Sequence, residues 1–471
     1  MNRRKFLSHS AWMASAAVLA PRFVRADDPM RKLNIAVIGA NGKGASDTKN
    51  IALDHNVVAL VDVDTKRLDD AMKSYQKSVE KNPKASTPKT FTDFRKMFDT
   101  MAKDIDAVIV STPDHTHYAA AVWALKNKKH ICVQKPLTNT IWEARELHRL
   151  AKEAGVVTQM GNQGRTMEGQ RSVKEWVEQG IIGTLKEVRL WTNRPIWPQG
   201  PLTIKTDVKV PEVLNWDLWQ GQHPERPYFE FENVGRDGKA AITSIHPFKW
   251  RGWWDYGSGA LGDMGCHVMD CTFNLLGRPV PTKVDVESGT INAMCAPLWS
   301  KLVYHIPASA KYAAMTVSWH DGVKDGKPNK PERDSRIPEE IFNKASSGMM
   351  LIGTNGVIMD AEAYCGNPKI YPAEVAEAAK KRIDAGTINK TESRSPKAGN
   401  PQLEWAHCIV NSQTPSSNFD YAVPLTEFVQ LGNLAIRSGQ SIQWDSAAMK
   451  VTNVEAANAF IKRPSYRAGW I

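Results

Sequence analysis

Short apolar runs alternate with longer amphipathic stretches through residues 33–160. Residues 35–38, 57–61, 107–111, 130–133 and 156–160 are mostly apolar runs of four or five, the pattern of strands buried on both faces. Between them, residues 44–53, 66–79, 93–101, 118–127 and 141–154 repeat apolar positions every three or four residues under a charged outer face, as helices do. Residues 81–90 read as a polar loop containing proline. Strands separated by helices predict an α/β domain on a parallel, doubly wound sheet.

After residue 160 the period changes. A helix at 170–179 and a strand at 185–193 come first. Alternating β-formers at 283–288, 301–305, 314–319 and 356–360 then predict an open, mainly antiparallel sheet, and 425–438 reads as a late helix. Polar insertions rich in Pro, Gly or charge fill 196–248, 321–348 and 384–402, and the last is expected to be mobile. The expected organisation is therefore a nucleotide domain over 33–160, an α+β domain over 161–445 with long loop insertions, and a tail over 446–471 packing on the core.

Ahead of these, residues 1–26 read as an export signal. Asn2-Arg3-Arg4-Lys5-Phe6-Leu7 carries twin arginines, residues 11–20 are weakly apolar, and Val24-Arg25-Ala26 offers a cleavage site. The apolar run is far shorter than the roughly 20 residues of a membrane span. The expected partner is the twin-arginine translocase, which moves folded proteins, and the expected destination is the periplasm or another exported location. Removing this segment takes away Arg3, Arg4, Lys5, Arg22 and Arg25 and no acid, so the formal charge of +11 falls to +6. No dense Lys/Arg block suggests nucleic acid. The six cysteines form no Cys-x-x-Cys pair and no zinc spacing, so buried free thiols and no metal are expected.

Four motifs carry chemistry. Gly39-Ala40-Asn41-Gly42-Lys43-Gly44 joins the first strand to the first helix, where glycines admit a pyrophosphate and the helix offers N–H groups; Gly39, Asn41, Gly42 and Gly44 are its expected contacts. Asp62 ends the second strand, 18 residues after Gly44, and a carboxylate there accepts ribose hydroxyls and favours NAD, while Lys66 and Arg67 leave NADP open. Ser111-Thr112-Pro113-Asp114-His115-Thr116-His117 follows a later strand. Ser111, Thr112, Pro113, His115 and His117 are expected near the nicotinamide ribose, and no third ligand accompanies the histidines to suggest a metal. Gln134 and Lys135 follow the strand at 130–133, where the lysine can hydrogen-bond a substrate hydroxyl, and Asn162 is expected on the same edge. Lastly, Asp263 and His267 lie four apart, on one helix face, so the carboxylate can orient the imidazole as acceptor of a carbinol proton. Seven tryptophans fall between residues 191 and 254, and indole faces suit the C–H faces of sugars; Arg194, Trp197, Trp253 and Trp254 join Asp263 and His267 as expected substrate contacts.

Together these residues resemble the Gfo/Idh/MocA family. The resemblance rests on the glycine turn at 39–44, Thr112-Pro113-Asp114-His115-Thr116-His117, the Lys135-Pro136 pair, and Trp250-Arg251-Gly252-Trp253-Trp254-Asp255 leading into Gly262-Asp263-Met264-Gly265-Cys266-His267. The last two are similar to the exported, carbohydrate-linked branch. The resemblance implies a Rossmann domain followed by an α/β domain whose sheet covers the nicotinamide. It also implies that Lys135, Asp263 and His267 match the family's catalytic lysine and Asp-x-x-x-His pair. The family usually has Glu-Lys-Pro, and Gln134 here replaces the acid. Three functions follow as expectations: hydride transfer between tightly held NAD(P) and a secondary hydroxyl of a sugar or cyclitol; a redox-neutral glycosidase working through transient oxidation, elimination, hydration and re-reduction; or a non-catalytic sugar-binding protein. A homo-oligomer is left open.

Overall fold

The computed structural model describes residues 31–234 and 240–471; the expected export signal at 1–26 lies outside them. The first sheet contains β1 (Asn34–Ile38), β2 (Asn56–Val61), β3 (Lys89–Phe91), β4 (Ala107–Val110), β5 (His130–Val133) and β6 (Thr158–Met160). Their order is β3-β2-β1-β4-β5-β6, and all pairs are parallel. Every residue of β4 is fully buried, as the uninterrupted apolar run required. The intervening helices begin on side-chain caps: Asp64, Asp93 and Thr140 accept the backbone N–H of Arg67, Arg95 and Glu143. The direction of strand addition reverses between β1 and β4, which opens a crevice at their carboxyl ends. Strand β3 overlaps the end of the stretch 81–90 read as a loop. It is an edge strand whose Lys89 and Thr90 are exposed, so its polar sequence hid it.

After β7 (Leu185–Thr192) the chain leaves for a long excursion. Strands β8 (Ile204–Lys205), β9 (Glu230–Val234) and β10 (Ala240–Ser244) form a small antiparallel sheet beside the short helix Trp216–Gln220. This segment has a core of its own, including Trp216, Trp219, Phe229, Phe231, Trp253 and Tyr256. It docks on the first domain where Asn215 donates its N–H to the Val63 carbonyl at 2.9 Å and His115 donates its N–H to that of Tyr256 at 3.3 Å. The segment therefore covers the crevice, and sequence periodicity gave no sign of it beyond the Pro/Gly-rich composition.

The second large sheet is built from β7, β11 (Lys283–Ser288), β12 (Trp299–Ile306), β13 (Met315–Lys324), β14 (Lys327–Pro328), β15 (Gly348–Gly353), β16 (Val357–Asp360), β17 (Lys369–Tyr371), β18 (Ile442–Asp445) and β19 (Lys450–Val451). It runs β17-β16-β15-β7-β13-β12-β11-β18-β19, with β14 paired to β13. Pairing is antiparallel except between β7 and β13. The helix Phe419–Ser438 packs closely here because Gly432 has no side chain: a Cβ would meet the Tyr304 hydroxyl at 2.3 Å. This helix starts earlier than residue 425 and runs through Pro424, with Asn418 as its cap. The stretch 384–402 also differs from expectation. Arg394 pairs with Glu168 at 2.9 Å and with Glu175, and Lys174 pairs with Glu392, so ion pairs hold it against the helix Glu168–Glu178. All six cysteines are buried and free.

Candidate active site

A cavity of about 570 Å³ occupies the crevice, roofed by the covering segment and flanked by the helix Gly259–Val268. Gly39, with φ +81°, turns the chain at the end of β1, and a Cβ there would lie 2.7 Å from the backbone of Ser111 and Thr112. A Cβ on Gly44 would lie 1.7 Å from the Gly39 carbonyl oxygen, so the turn and the helix Lys43–Ile51 meet backbone to backbone. Asp62 accepts the N–H of Asn41 at 3.3 Å and of Asp64 at 3.2 Å, and burial pushes its carboxyl up to about 6. Arg67 lies beside it, also lining the cavity, and donates to the Asn41 side chain.

Beneath the turn lies a group that sequence reasoning missed. Asp47 is fully buried and accepts from Lys43, from Ser111 Oγ at 2.8 Å, from Gln134 Nε2 at 2.8 Å and from Gln402 Nε2 at 2.9 Å. One carboxylate thus ties the glycine turn to the ends of β4 and β5. Gln134, the departure from Glu-Lys-Pro, points its amide at this acid. The negative charge resides on Asp47 instead.

At the other end Lys135 Nζ donates to the Asp263 carbonyl at 2.6 Å and to Asp263 Oδ1 at 3.1 Å, while Arg251 Nε reaches the same Oδ1 at 3.2 Å. Despite burial, Lys135 and Arg251 hold the Asp263 carboxyl down at about 2. Asp114, bonded by Ser258 Oγ at 3.0 Å, is pushed the other way: burial outweighs Lys135 and Arg251 and lifts it to about 7. His267 is buried, its ring set edge-on to Tyr364 at 4.8 Å. Burial, with Lys135 nearby, holds it well below the ordinary histidine range, so the ring is neutral. Asp263, expected to orient His267, makes no hydrogen bond to it among the described residues. Two cations draw the Asp263 carboxylate, which acts on His267 only through space.

The cavity brings together Gly39, Asn41, Gly42, Asp62, Ser111, Thr112, Pro113, Gln134, Lys135, Asp263 and His267, all expected from sequence. Gly44 stands just behind the turn. Other expected residues do not line it. His115 is buried between Trp219 and Tyr256, with Nε2 bonded to the Trp219 carbonyl at 2.8 Å. His117 bridges the carbonyls of Thr112 and Pro136, each at 2.9 Å; burial lowers it to about 4, so the neutral ring donates to one of them at a time. Both histidines spend ring nitrogens on loop carbonyls, and neither lines the cavity. Asn162 is spent on Asp270 at 2.8 Å. Trp197, Trp253 and Trp254 are buried in packing, and Arg194 bonds its neighbour Asn193. The indoles that do reach the cavity are Trp219, Trp250 and Trp470. Asp114 and Arg251 lay within motifs already singled out; Tyr364 and Trp470 had no local signal.

Residues 33–162 match the family model GFO_IDH_MocA, described as an oxidoreductase family with an NAD-binding Rossmann fold, and residues 169–313 match its C-terminal alpha/beta domain. The chain belongs to the Gfo/Idh/MocA oxidoreductase family. It is an NAD-binding enzyme of that class. The uncharacterized oxidoreductase YdgJ of Escherichia coli (strain K12) is 25% identical over 288 residues, 58% of this chain and 70% of that protein. The inositol 2-dehydrogenase of Rubrobacter xylanophilus is 27% identical over 34% of this chain and 44% of its own length. The levoglucosan dehydrogenase of Pseudarthrobacter phenanthrenivorans is 25% identical over 40% of this chain and 36% of its own length. The chain thus spans less than half of these two dehydrogenases. Among solved structures, the WlbA dehydrogenase of Bordetella pertussis, in complex with NADH and UDP-GlcNAcA, superposes with a TM-score of 0.58 at 14% identity, covering 88% of this chain and 98% of that one.

The residues present fit a dinucleotide. The turn leaves no room for a Cβ at Gly39 or Gly44, and Thr112 Oγ1, Gln134 Oε1 and His267 Nδ1 are buried polar atoms without a protein partner.

Proposed function

We propose that the protein transfers hydride between tightly held NAD(P), with NAD favoured by Asp62, and a secondary hydroxyl of a sugar or cyclitol. The observation that carries this reading is the convergence of Lys135, Asp263 and His267 at one end of a cavity that the glycine turn also lines. The bound nicotinamide supplies the hydride acceptor or donor. Lys135, anchored by both oxygens of Asp263 that it touches, directs a remaining N–H at the carbinol oxygen. His267, kept neutral by burial, takes the carbinol proton. Asp263 stays ionised and fixes Lys135 and Arg251, so the cluster keeps its geometry as the proton moves. Similarity to inositol and levoglucosan dehydrogenases supports a polyhydroxylated ring as substrate.

The test begins by denaturing the purified protein and identifying released nucleotide by mass. Free sugars, cyclitols and glycosides are then screened for a change in NADH absorbance. Turnover with net NADH change on a carbinol substrate supports the reading. Release of an aglycone with no net NADH change marks the redox-neutral glycosidase instead. A protein that binds neither NAD nor NADP overturns both. The twin arginines further support export in the folded state; a cytoplasmic location unaffected by Arg3→Lys and Arg4→Lys would refute that.

A further inference from the structure

We infer that Trp470 closes the adenosine end of the cavity with Trp219, so that nucleotide retention depends on the tail segment holding Arg467 and Trp470. The inference rests on the NAD reading above and deepens it. Strand order fixes which end is which. Lys135 and His267 mark the nicotinamide end beyond β5, whereas Asp62 ends β2 and Thr92 and Phe94 follow β3, on the opposite side of the crevice. Trp470 lines that side.

Trp470 is only 3% exposed. Its ring meets Phe94 edge-on at 5.8 Å, and the Arg95 guanidinium lies 3.9 Å from the ring centre. Trp123 Nε1 donates to the Trp470 carbonyl at 3.1 Å, and Arg95 donates to that of Gly469 at 3.3 Å. Those contacts belong to the first domain. Three residues earlier, Arg467 binds the cover: its N–H donates to the Gln222 carbonyl at 3.1 Å and its guanidinium to those of Asp217 at 3.1 Å and Gly221 at 3.3 Å. Gly221 is a glycine because a Cβ there would meet Thr116 Cγ2 at 2.5 Å; the Trp470 indole stands in ordinary contact beside it, at 3.9 Å. The tail therefore stitches the cover to the nucleotide domain across the mouth of the adenosine end.

Trp219 completes this wall from the cover. It is 3% exposed and stacked on Trp216 at 4.8 Å and 14°, and its indole N–H has no protein partner. Each ring reaches the cavity only by an edge, so the pair forms a rigid wall at the purine's end and not a stacking face. A nucleotide seated there leaves only when the tail or the cover lets go.

The experiment uses the full chain as purified, alongside Trp470→Ala, Trp470→Phe and Arg467→Ala. Each protein is dialysed exhaustively, its retained nucleotide is counted by mass, and exchange against isotope-labelled NAD is followed. The wild type should retain nucleotide and exchange it slowly. Trp470→Ala should exchange about ten- to a hundred-fold faster, since truncating a buried aromatic that ties the tail down eases its release by at least that much, and Trp470→Phe should recover most of the retention. Arg467→Ala leaves the cavity wall intact but unties the tail, so it should also exchange faster; it decides the matter if Trp470→Ala does not fold. Wild-type retention in folded Trp470→Ala, or in Arg467→Ala where Trp470→Ala fails to fold, overturns the inference and leaves the NAD reading standing. Free exchange in the wild type does the same. A wild type that carries and binds no NAD(P) overturns both.

Discussion

Gln134→Glu restores the acid that similar sequences usually carry, yet it should damage this protein. Gln134 Nε2 now donates to Asp47 Oδ2 at 2.8 Å, and both side chains are buried. With glutamate, two carboxyl groups would face each other with charge centres roughly 4 Å apart. At an effective dielectric near 20, two like charges at that distance repel by about 4 kcal/mol. That equals about three pK units, so the introduced carboxyl should titrate near 7 when folded against about 4.3 when unfolded. A group whose folded value is raised stabilises fully below its unfolded value and loses that contribution as pH rises through the folded one. Near pH 4 the protonated glutamate can still donate to Asp47, and the variant should melt close to wild type. By pH 8 it should be about 4 kcal/mol less stable. Thermal melts of both proteins across pH 4–8 read this directly. Asp47→Asn combined with Gln134→Glu exchanges the two groups and should recover much of the loss, a non-additivity expected of contacting residues. A melting gap that does not change with pH, or a double variant no better than the sum of the singles, would refute the placement of the charge on Asp47.

Lys135→Met should lower kcat/KM about 10²- to 10⁴-fold while nucleotide still copurifies, as loss of a positioned proton-handling group does; steady-state rates with mass analysis of bound nucleotide check it. Asp114, lifted by burial to about 7 from an ordinary 3.8, makes the folded protein lose stability as pH rises from about 4 to 7. Asp114→Asn removes that slope, so its melting temperature should gain on wild type across the same window. Asp62→Ser should shift the ratio of NADP to NAD affinity upward, since Arg67 remains beside a site freed of its carboxylate; titration of both nucleotides measures it.

The sequence foretold the parts whose signal is local. Strands such as β4 are uninterrupted apolar runs because helices bury both faces, and the glycine turn is legible because backbone approach tolerates nothing larger. Lys135 and Asp263 could be named, but their partnership joins positions 128 apart, so the reading paired Asp263 with the helical neighbour His267 instead. Asp47 looked like one more polar residue on a helix; its role depends on donors from Ser111, Gln134 and Gln402, which meet only in the folded chain. The tryptophans failed for a related reason. A cluster along the sequence says that aromatic surface will be buried, but Trp253 serves the cover's own core and Trp219, in the same core, also faces the cavity. Trp470 lay in a tail with no periodicity at all.

The covering segment has its own apolar core and enters and leaves the fold between β7 and the helix that bears Asp263 and His267. In descent, such a unit can lengthen, shrink or be traded with little disturbance to the sheets beneath it. The groups proposed to handle the proton sit on the first sheet and that helix, so a lineage can remodel what the pocket admits while its reaction chemistry stays under separate selection.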